Sequence, residues 1–478
     1  MDTMSLDSSV QTAATSMLAD FAVGNVPAAM PHCCEERLRE CFLDFVGVAA
    51  FAAKDAESSR PFRTAVISLA PQAGEATVIA DSRGYPPQYA ALLNGAFGHT
   101  LDFDDTNQEG VLHPGVAVIP AAMAEAERLD CDGETFIQAM GAGYEVACRI
   151  GAALGPTAYE RGFHVTSVAG LFGAVAAIGR LRGFDHERMC SALGIAGSRA
   201  AGSMQCLANG AWNKRLHPGF SSHDAFLCVA LAEAGVLGAE RPVEGGFGLL
   251  TGYSNAPRPD LMTKDLGARW LLLGTAFKPY PGCRMTHAAI DAVLRLRKES
   301  STSDRRAAVF TVRLSATAMR IVGERHANKV HPSNTIEAQF SIYFQMAIAW
   351  LDGWNDWSSY RRLGSADVAG MSERISVEVD ASLPMAGAEV VLELHGRRSV
   401  LRVDKALGEP EQPLSWGMLE RKFLALAEPV YGMNHARRIA QRIQGLPDET
   451  SMRDLVGILK SQPSTDPQLP AGKDQCIS

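Results

Sequence analysis

The spacing of apolar and polar residues changes once along the chain. From about Asp7 to Leu250, apolar residues recur at the spacing found on the buried face of an amphipathic helix. The stretches that carry this pattern most clearly are 35–53, 86–103, 114–129, 132–154 and 166–183. They are rich in alanine and glycine, so helix backbones can approach closely, and we predict a compact helical bundle.

After about Gly274 the pattern is mixed. The residues alternate or cluster as they do in β-strands over 307–316, 373–381, 388–396 and 398–406. The last two stretches flank Gly396 and Arg397 as the arms of a hairpin would. Helical spacing is present among these strands over 286–299 and 337–353, and it returns after "GEPEQPLS" at 416–428, 434–444 and 451–461.

The two patterns predict a mostly α protein with an α+β second domain. We expect a large all-helical domain made of 1–272 and 408–462, a smaller α+β lid domain with an antiparallel sheet over 273–407, and a disordered tail over 463–478. A helical domain interrupted in this way leaves a cleft against the second domain, and ligands commonly bind in such clefts.

Composition and charge exclude several classes of function. The net charge of the 478 residues is only −8, and no block of Lys and Arg stands out, so we expect no nucleic-acid partner. The N-terminus lacks the pattern of a signal peptide, and the longest apolar run is too short to span a bilayer. The ten cysteines are scattered without a CxxC pair. We therefore expect a cytoplasmic protein with neither membrane association nor a disulfide framework.

The segment "LDFDDTNQEGVLHPG", residues 101–115, concentrates more charge than its surroundings. Helical spacing would place Asp102 and Thr106 on one face, and His113 lies at the entry to the next predicted helix. A helix start offers free N–H groups to an anion. One interpretation is a polar connection between two helices. The other is one wall of a site that transfers protons.

Three further clusters bring basic residues close to helix starts. His164 precedes Thr166, a possible helix cap, and a structural histidine is the plain alternative. "GAWNKRLHPGFSSHDA" is predicted to be a loop, which either binds carboxylates or is simply solvated. The candidates in this loop are Lys214, Arg215 and His217. The third cluster lies at the predicted domain boundary, and its candidates are Lys278, Tyr280, Cys283, Arg284 and His287.

No metal-binding, P-loop, GxGxxG or GxSxG motif is present in the sequence. We therefore expect neither a metal nor an organic cofactor. The residue types favour acid–base chemistry on a small polycarboxylate, in which Lys and Arg hold carboxylates and a His or Asp moves a proton at carbon.

An ordered set of motifs resembles the MmgE/PrpD family. The set comprises "HTLDFDDT…HPG", "GFHVTSVAGLFGA", "ALGIAGS", "NKRLHPGFSSHDA", "GGFGLL", "FKPYPGCRMTHAAIDA" and "EAQFSIYFQMA". The resemblance covers about residues 8–462. It implies a large helical domain with a smaller α+β domain, a homodimer, and proton transfer next to a carboxylate without a redox cofactor.

The resemblance also places site residues. The family's cis-aconitate decarboxylases match this chain at Asp102, Thr106, His113, His164, Lys214 and Lys278. At Cys283 the animal decarboxylase has a histidine, whereas the fungal decarboxylase and the epimerase resemble the cysteine form. We assign proton transfer and catalysis to Asp102, His113, His164 and Lys214. We assign substrate binding to Thr106, Arg215, Lys278, Cys283, Arg284 and His287.

The predicted function is a cofactor-independent lyase, most like a 2-methylcitrate or citrate dehydratase. The resemblance leaves a cis-aconitate decarboxylase and an epimerase of an amino-dicarboxylate such as iminodisuccinate as alternatives. A non-catalytic carboxylate-binding protein is the alternative from another class.

Overall fold

The computed structural model of this protein describes residues 13–25, 29–300 and 305–460. The predicted disordered tail lies outside these ranges. Within them, no helix is both long and apolar enough to cross a membrane.

The larger part of the molecule is helical, as predicted. Alanine and glycine fill the contacts between its helices, and one continuous apolar core joins residues 18–277 to residues 414–459. The helices before this part is interrupted are α1 (Ala14–Val23), α2 (His32–Asp55), α3 (Ser59–Leu69), α4 (Pro87–Thr100), α5 (Gly115–Leu129), α6 (Gly133–Leu154), α7 (Pro156–Glu160), α8 (Val165–Leu181), α9 (His186–Ala196), α10 (Asn213–Glu233) and α11 (Leu249–Tyr253).

Four short strands belong to this part. Strand β1 (Ala76–Thr77) pairs with β2 (Gly84–Tyr85), and β3 (Thr106–Asn107) pairs with β4 (Thr275–Ala276). The second pair matters for the site, because it joins the acidic segment (residues 101–115) to the residues just before Lys278.

The smaller part is the predicted α+β unit, and it has its own apolar core over residues 280–406. Its sheet has the strand order β6-β5-β7-β8. The strands are β5 (Val309–Leu314), β6 (Ile375–Val379), β7 (Ala388–Leu394) and β8 (Arg397–Val403). The helices are α12 (His287–Glu299), α13 (Ala316–Ala318), α14 (Ala327–Val330), α15 (Thr335–Gln339), α16 (Ile342–Asp352) and α17 (Ala366–Ser372).

The predicted antiparallel sheet is correct for two strand pairs and wrong for the third. Strand β7 runs antiparallel to β5 and to β8, whereas β5 and β6 run parallel. Helices α13–α17 form the connection between β5 and β6, and a connection of this length can return the chain to the end where it started. The predicted hairpin is confirmed, with His395 and Gly396 both at positive φ in its turn.

The chain then returns to the helical core as α18 (Trp416–Tyr431), α19 (Met433–Gln444) and α20 (Met452–Gly457). Lys422 of α18 pairs with Asp44 of α2 at 2.6 Å and donates to the Phe103 carbonyl at 2.7 Å. The C-terminal helices thus support the acidic segment.

The boundary between the two apolar cores lies between Phe277, which packs in the helical core, and Tyr280, which packs in the α+β core. The division into separate domains stays a prediction, since packing does not show that either part folds alone.

Two local predictions were wrong. The helix predicted to reach residue 103 ends at Thr100, so Asp102 and Thr106 do not share a helical face. The predicted loop around Lys214 is the first part of α10, which continues through Pro218. Gly219 lies where α10 crosses α4. A Cβ at Gly219 would lie 2.4 Å from the Leu92 carbonyl, so the glycine allows α10 to cross α4 closely.

Candidate functional site

A cavity of about 160 Å³ lies between the helical part and the α+β part. Helices α4, α8 and α10 and strand β3 bring the polar residues of the helical side to it. The segment around Cys283 and parts of the α+β unit close the other side. The residues that line it include Asp102, Thr106, Gln108, His113, Tyr159, His164, Lys214, Lys278, Cys283, Arg284, Met285, Ile321, Phe340 and Met385.

The backbone directs Asp102 into this cavity. Helix α4 stops at Thr100, and Asp102 adopts a left-handed conformation with φ 49°, which Asp tolerates better than most residues. The chain then enters β3, whose pairing with β4 fixes Thr106 opposite Ala276. Asp102 and Thr106 therefore reach the cavity through a turn and a strand and not through a helix.

Asp102 joins two ammonium groups, one buried (Lys278) and one half-buried (Lys214). Its Oδ1 lies 2.9 Å from Nζ of Lys214 and 3.1 Å from Nζ of Lys278, and Lys278 also donates to its carbonyl at 2.7 Å. Burial alone would raise the pKa of the Asp102 carboxyl, but the two lysines hold it well below its usual value. Two positive charges thus share one negative charge, and the net positive charge of the group attracts an anion.

Asp104 binds two histidines on the same carboxylate oxygen. Oδ2 lies 2.8 Å from Nδ1 of His99 and 2.9 Å from Nδ1 of His113. Burial opposes ionisation of Asp104, yet the two imidazoles keep its pKa well below the usual value. An ionised carboxylate only accepts, so Nδ1 of His99, which is hydrogen-bonded to Asp104, carries hydrogen. Burial lowers the pKa of His113, and it lowers that of His99 to about 3.

Asp105 faces away from the cavity. Its carboxylate accepts the backbone N–H of Gly115 at 3.1 Å and the hydroxyl of Tyr144 at 2.8 Å. Burial raises the pKa of Asp105 to about 7. The three aspartates of the acidic segment therefore differ in function: one pairs with lysines, one orients histidines, and one caps the start of α5.

His164 and His217 form a second histidine pair. Their Nδ1 atoms are 3.0 Å apart, and the His164 ring stacks on His99 with centroids 5.5 Å apart. His164 is the residue before α8 and makes no side-chain cap, so Thr166 is not the cap that the sequence suggested. The Thr166 hydroxyl instead accepts the backbone N–H of His113 at 3.0 Å.

Arg284 provides cationic donors from the other side of the cavity. One terminal nitrogen, Nη2, donates to the Thr106 hydroxyl at 3.2 Å, and Nε lies 3.4 Å from Oε1 of Glu409. Nε and Nη1 are buried without a hydrogen-bond partner. Cys283 beside it is a thiol at neutral pH, because burial raises its pKa to about 11. Unsatisfied guanidinium donors of this kind suit a carboxylate ligand.

Two predicted binding residues do not line the cavity. Arg215 follows Lys214 by about 100° around α10, and its guanidinium binds the Ser58 hydroxyl at 3.0 Å. His287 donates from Nε2 to the Gly282 carbonyl at 3.3 Å and packs against the Tyr280 ring. Neither lines the cavity, so their assignment to substrate binding stays a prediction.

Two residues of the site, His99 and Asp104, were missed, and a third was placed in the wrong kind of element. His99 and Asp104 lie five positions apart across the end of a helix, and this spacing is not one that indicates contact. His217 was considered only as part of a basic loop. Its position three residues after Lys214 would have placed both on one helical face, had α10 been predicted there.

Four of these groups are close enough to be weighed as a metal site. The ligand atoms of His99, Asp102, Asp104 and His113 lie within 4.8 Å of one another. Two histidines and two carboxylates suit a divalent ion in type and number. The ammonium groups of Lys214 and Lys278 already bind Asp102, however, and their charge opposes a cation at this position.

Family models match most of the chain. The MmgE/PrpD N-terminal domain matches residues 16–262, and the MmgE/PrpD C-terminal domain matches residues 280–447. The chain belongs to the MmgE/PrpD family. The gap between the two matches includes β4 and Lys278, so the two family domains meet at the cavity.

Several relatives of this MmgE/PrpD protein are cis-aconitate decarboxylases. The one from Aspergillus terreus is 26% identical over 96% of this chain and 98% of its own length. The one from Homo sapiens is 29% identical over 78% of this chain and 80% of its own length. The cis-aconitate decarboxylase-like protein oryM of Aspergillus oryzae is 24% identical over 95% of this chain and 99% of its own length.

Proposed function

We propose that this protein is a cofactor-independent lyase that acts on a small di- or tricarboxylate by proton transfer next to a carboxylate. The observation that carries the proposal is the cavity itself, where Lys214, Lys278 and Arg284 converge beside His113 and His164. Buried cations bind carboxylates strongly in such surroundings. Burial lowers the pKa of both His113 and His164, so both imidazoles are neutral and each can accept a proton and pass it on during turnover.

Substrate binding follows from the unused donors. Arg284 directs Nη1, which makes no hydrogen bond within the protein, to one substrate carboxylate. Lys214 and Lys278 meet a second carboxylate while they keep Asp102 between them. The same ammonium groups stabilise negative charge that develops next to the reacting carbon.

Decarboxylation of cis-aconitate, or of a similar tricarboxylate, is the first candidate reaction. Its support is the name shared by relatives that match nearly the whole chain. In this reaction a carboxylate leaves as CO2, and a cavity histidine supplies a proton to carbon. This order differs from the sequence analysis, which ranked dehydration first.

Dehydration of a 2-methylcitrate-like or citrate-like hydroxy acid is the second candidate. It needs two proton carriers in one turnover, because a base takes the proton at carbon and an acid protonates the departing hydroxyl. The cavity offers two, each with its own partner: His113 with Asp104, and His164 with His217. A decarboxylation needs to deliver only one proton.

Product identity separates these reactions. We would incubate the purified protein with a panel of carboxylates in heavy water and follow the products by NMR. Decarboxylation yields CO2, dehydration yields an alkene without loss of carbon, and epimerisation yields deuterium exchange without net loss. Binding without any turnover of the panel would contradict an enzyme and favour a carboxylate-binding protein.

Two adjacent residues provide matched variants for this assay. Lys214→Met removes an ammonium that reaches Asp102 in the cavity, whereas Arg215→Met removes a cation that faces Ser58 outside it. We expect the first variant to lose most turnover and the second to keep it. The predicted homodimer is checked in the same preparation by light scattering.

A further inference from the structure

The contact between the Nδ1 atoms of His164 and His217 limits where each ring can carry its N–H hydrogen. Both residues are buried, at 2% and 6% exposure, and their Nδ1 atoms are 3.0 Å apart. A hydrogen bond between two such nitrogens needs a hydrogen on one and a lone pair on the other. The two rings therefore share one N–H, and Nε2 is the nitrogen that His164 keeps for a ligand in the cavity.

Backbone contacts hold the two rings in this arrangement. The His164 N–H donates to the Gly202 carbonyl, and its own carbonyl accepts from Ser167, both at 2.9 Å. Ser221 of α10 donates its hydroxyl to the Ser167 carbonyl at 2.9 Å and lies 3.1 Å from the His217 carbonyl. The start of α8 and the first turns of α10 are thus joined on both sides of the pair.

The groups that face the pair are neutral or positive. His99 of α4 stacks on His164, Lys214 lies on the same helix as His217, and His113 faces His164 from the segment before α5. Burial, with the charge of Lys214 second, lowers the pKa of His217 to about 4. This differs from His113, whose Nδ1 faces the carboxylate of Asp104.

We propose that His217 is a positioning residue and proton partner of His164, so that the reacting histidine opposite His113 is backed by a second imidazole and not by a carboxylate. The expected effect of His217 on turnover rests on the proposed lyase function. The geometry of the pair itself does not depend on which substrate binds.

The proton count of the step balances within the two rings. In a dehydration or an epimerisation the substrate C–H bond breaks, its proton goes to Nε2 of His164, and its electron pair stays on the substrate beside the cationic groups of the cavity. The Nδ1 hydrogen of His164 moves to Nδ1 of His217, which then carries the positive charge. In a decarboxylation the C–C bond to CO2 breaks and leaves its electron pair on carbon, and the histidine pair, protonated from solvent beforehand, runs the same movement in reverse and delivers the proton from Nε2 of His164 to that carbon.

The pairing is tested without substrate by NMR of the full protein labelled with ¹⁵N-histidine, assigned with His164→Gln and His217→Gln. At pH 7 we expect both residues to be neutral, with His164 in the Nδ1–H form and His217 in the Nε2–H form. Loss of that Nδ1–H signal from one ring when the other is replaced would support the shared hydrogen. Two Nε2–H rings, or an imidazolium at either position, would overturn it.

The kinetic consequence is tested with His217→Asn, which keeps a hydrogen-bonding group near Nδ1 but cannot take a proton. We expect kcat to fall about a hundredfold with KM nearly unchanged, and the acidic limb of the pH–rate profile to move to lower pH. Ser222→Ala is the control, since it removes a buried hydrogen bond of α10 to the Ala117 carbonyl and touches neither ring nor the contacts that hold them. Wild-type kcat and pH profile in His217→Asn would overturn the proposal. A wild-type protein inactive on every carboxylate would instead overturn the proposed function, and the NMR spectrum would still decide the pairing.

Discussion

The two sides of the cavity differ in the chemistry that they supply. The helical side carries the histidines and aspartates, of which Asp102, His113 and His164 line the cavity. The α+β side supplies Arg284, the Cys283 thiol and a set of apolar side chains, namely Met285, Ile321, Phe340 and Met385. Asp102 joins the sides, because one of its lysines comes from α10 and the other from the segment after β4.

This difference indicates a division of function. Proton transfer depends on distances fixed to a fraction of an ångström, and the helical side holds its histidines through buried partners such as Asp104 and His217. Binding and exclusion of water tolerate looser geometry and suit the apolar, cationic side. Substitutions on the helical side should therefore reduce kcat, and those on the α+β side should mainly raise KM.

The largest expected effect is that of His164→Ala. Removal of a general acid or base commonly costs about 10²–10⁴-fold in rate, so we expect kcat to fall by that amount. The melting temperature should change little, because the ring lies at a cavity and caps no helix. Steady-state kinetics and thermal melting measure both quantities. A destabilised protein that keeps its specific activity would make His164 structural.

Asp102→Asn is expected to have the next largest effect. The variant keeps the shape of the side chain but leaves Lys214 and Lys278 without a shared counter-ion. We expect kcat to fall at least tenfold and both limbs of the pH–rate profile to move to lower pH, since added positive potential disfavours protonated histidine and lysine. Unchanged kinetics over the whole pH range would show that the acidic segment is only a polar connection.

The sequence predicted the helices and strands well where the signal is local. The stretch 114–129 is helix α5 to within one residue, and 388–396 contains β7. Helix α10 was missed because Pro218 and Gly219 ordinarily indicate a loop. Here Gly219 allows α10 to pass close to α4, which lies far away in sequence. The parallel pairing of β5 with β6 was missed for a similar reason, since alternation within a strand does not specify its neighbour.

The site was predicted mainly through the family resemblance. Motif matches located Asp102, Thr106, His113, His164, Lys214 and Lys278, all of which line the cavity. The partners behind them were not found, because contacts such as Asp104 with His99 depend on how a turn folds. The place of Arg215 outside this cavity was not predicted, since its direction depends on helix α10, which the sequence analysis took for a loop.

Phe340→Ala examines the α+β side and should have a smaller effect on rate. The ring lines the cavity, and Nζ of Lys214 lies 5.5 Å from its centre. We expect KM to rise about tenfold through lost apolar contact and looser exclusion of water, while kcat changes less than threefold. A fall in kcat with KM unchanged would contradict the division of function between the two sides.

Asp105→Asn tests whether the third aspartate takes no part in catalysis, and its effect on kcat should be the smallest of the four. Burial raises the pKa of Asp105 to about 7 from an ordinary value of 3.8. Between these values the folded state binds more protons than the unfolded state, so wild-type stability from this group falls as pH rises. Thermal melts from pH 4 to 8 should therefore show the variant gaining stability relative to wild type as pH rises, with kcat retained.

Deuterium incorporation at carbon tests the central claim most directly. The substrate that turns over would be followed by NMR in heavy water with wild type, His164→Ala and Arg284→Lys. We predict solvent deuterium at the carbon next to the carboxylate, nearly complete loss of its incorporation in His164→Ala at saturating substrate, and recovery of most of it in Arg284→Lys when substrate is raised. Product formed without solvent deuterium, or incorporation in His164→Ala at the wild-type rate, would contradict proton transfer by the helical side.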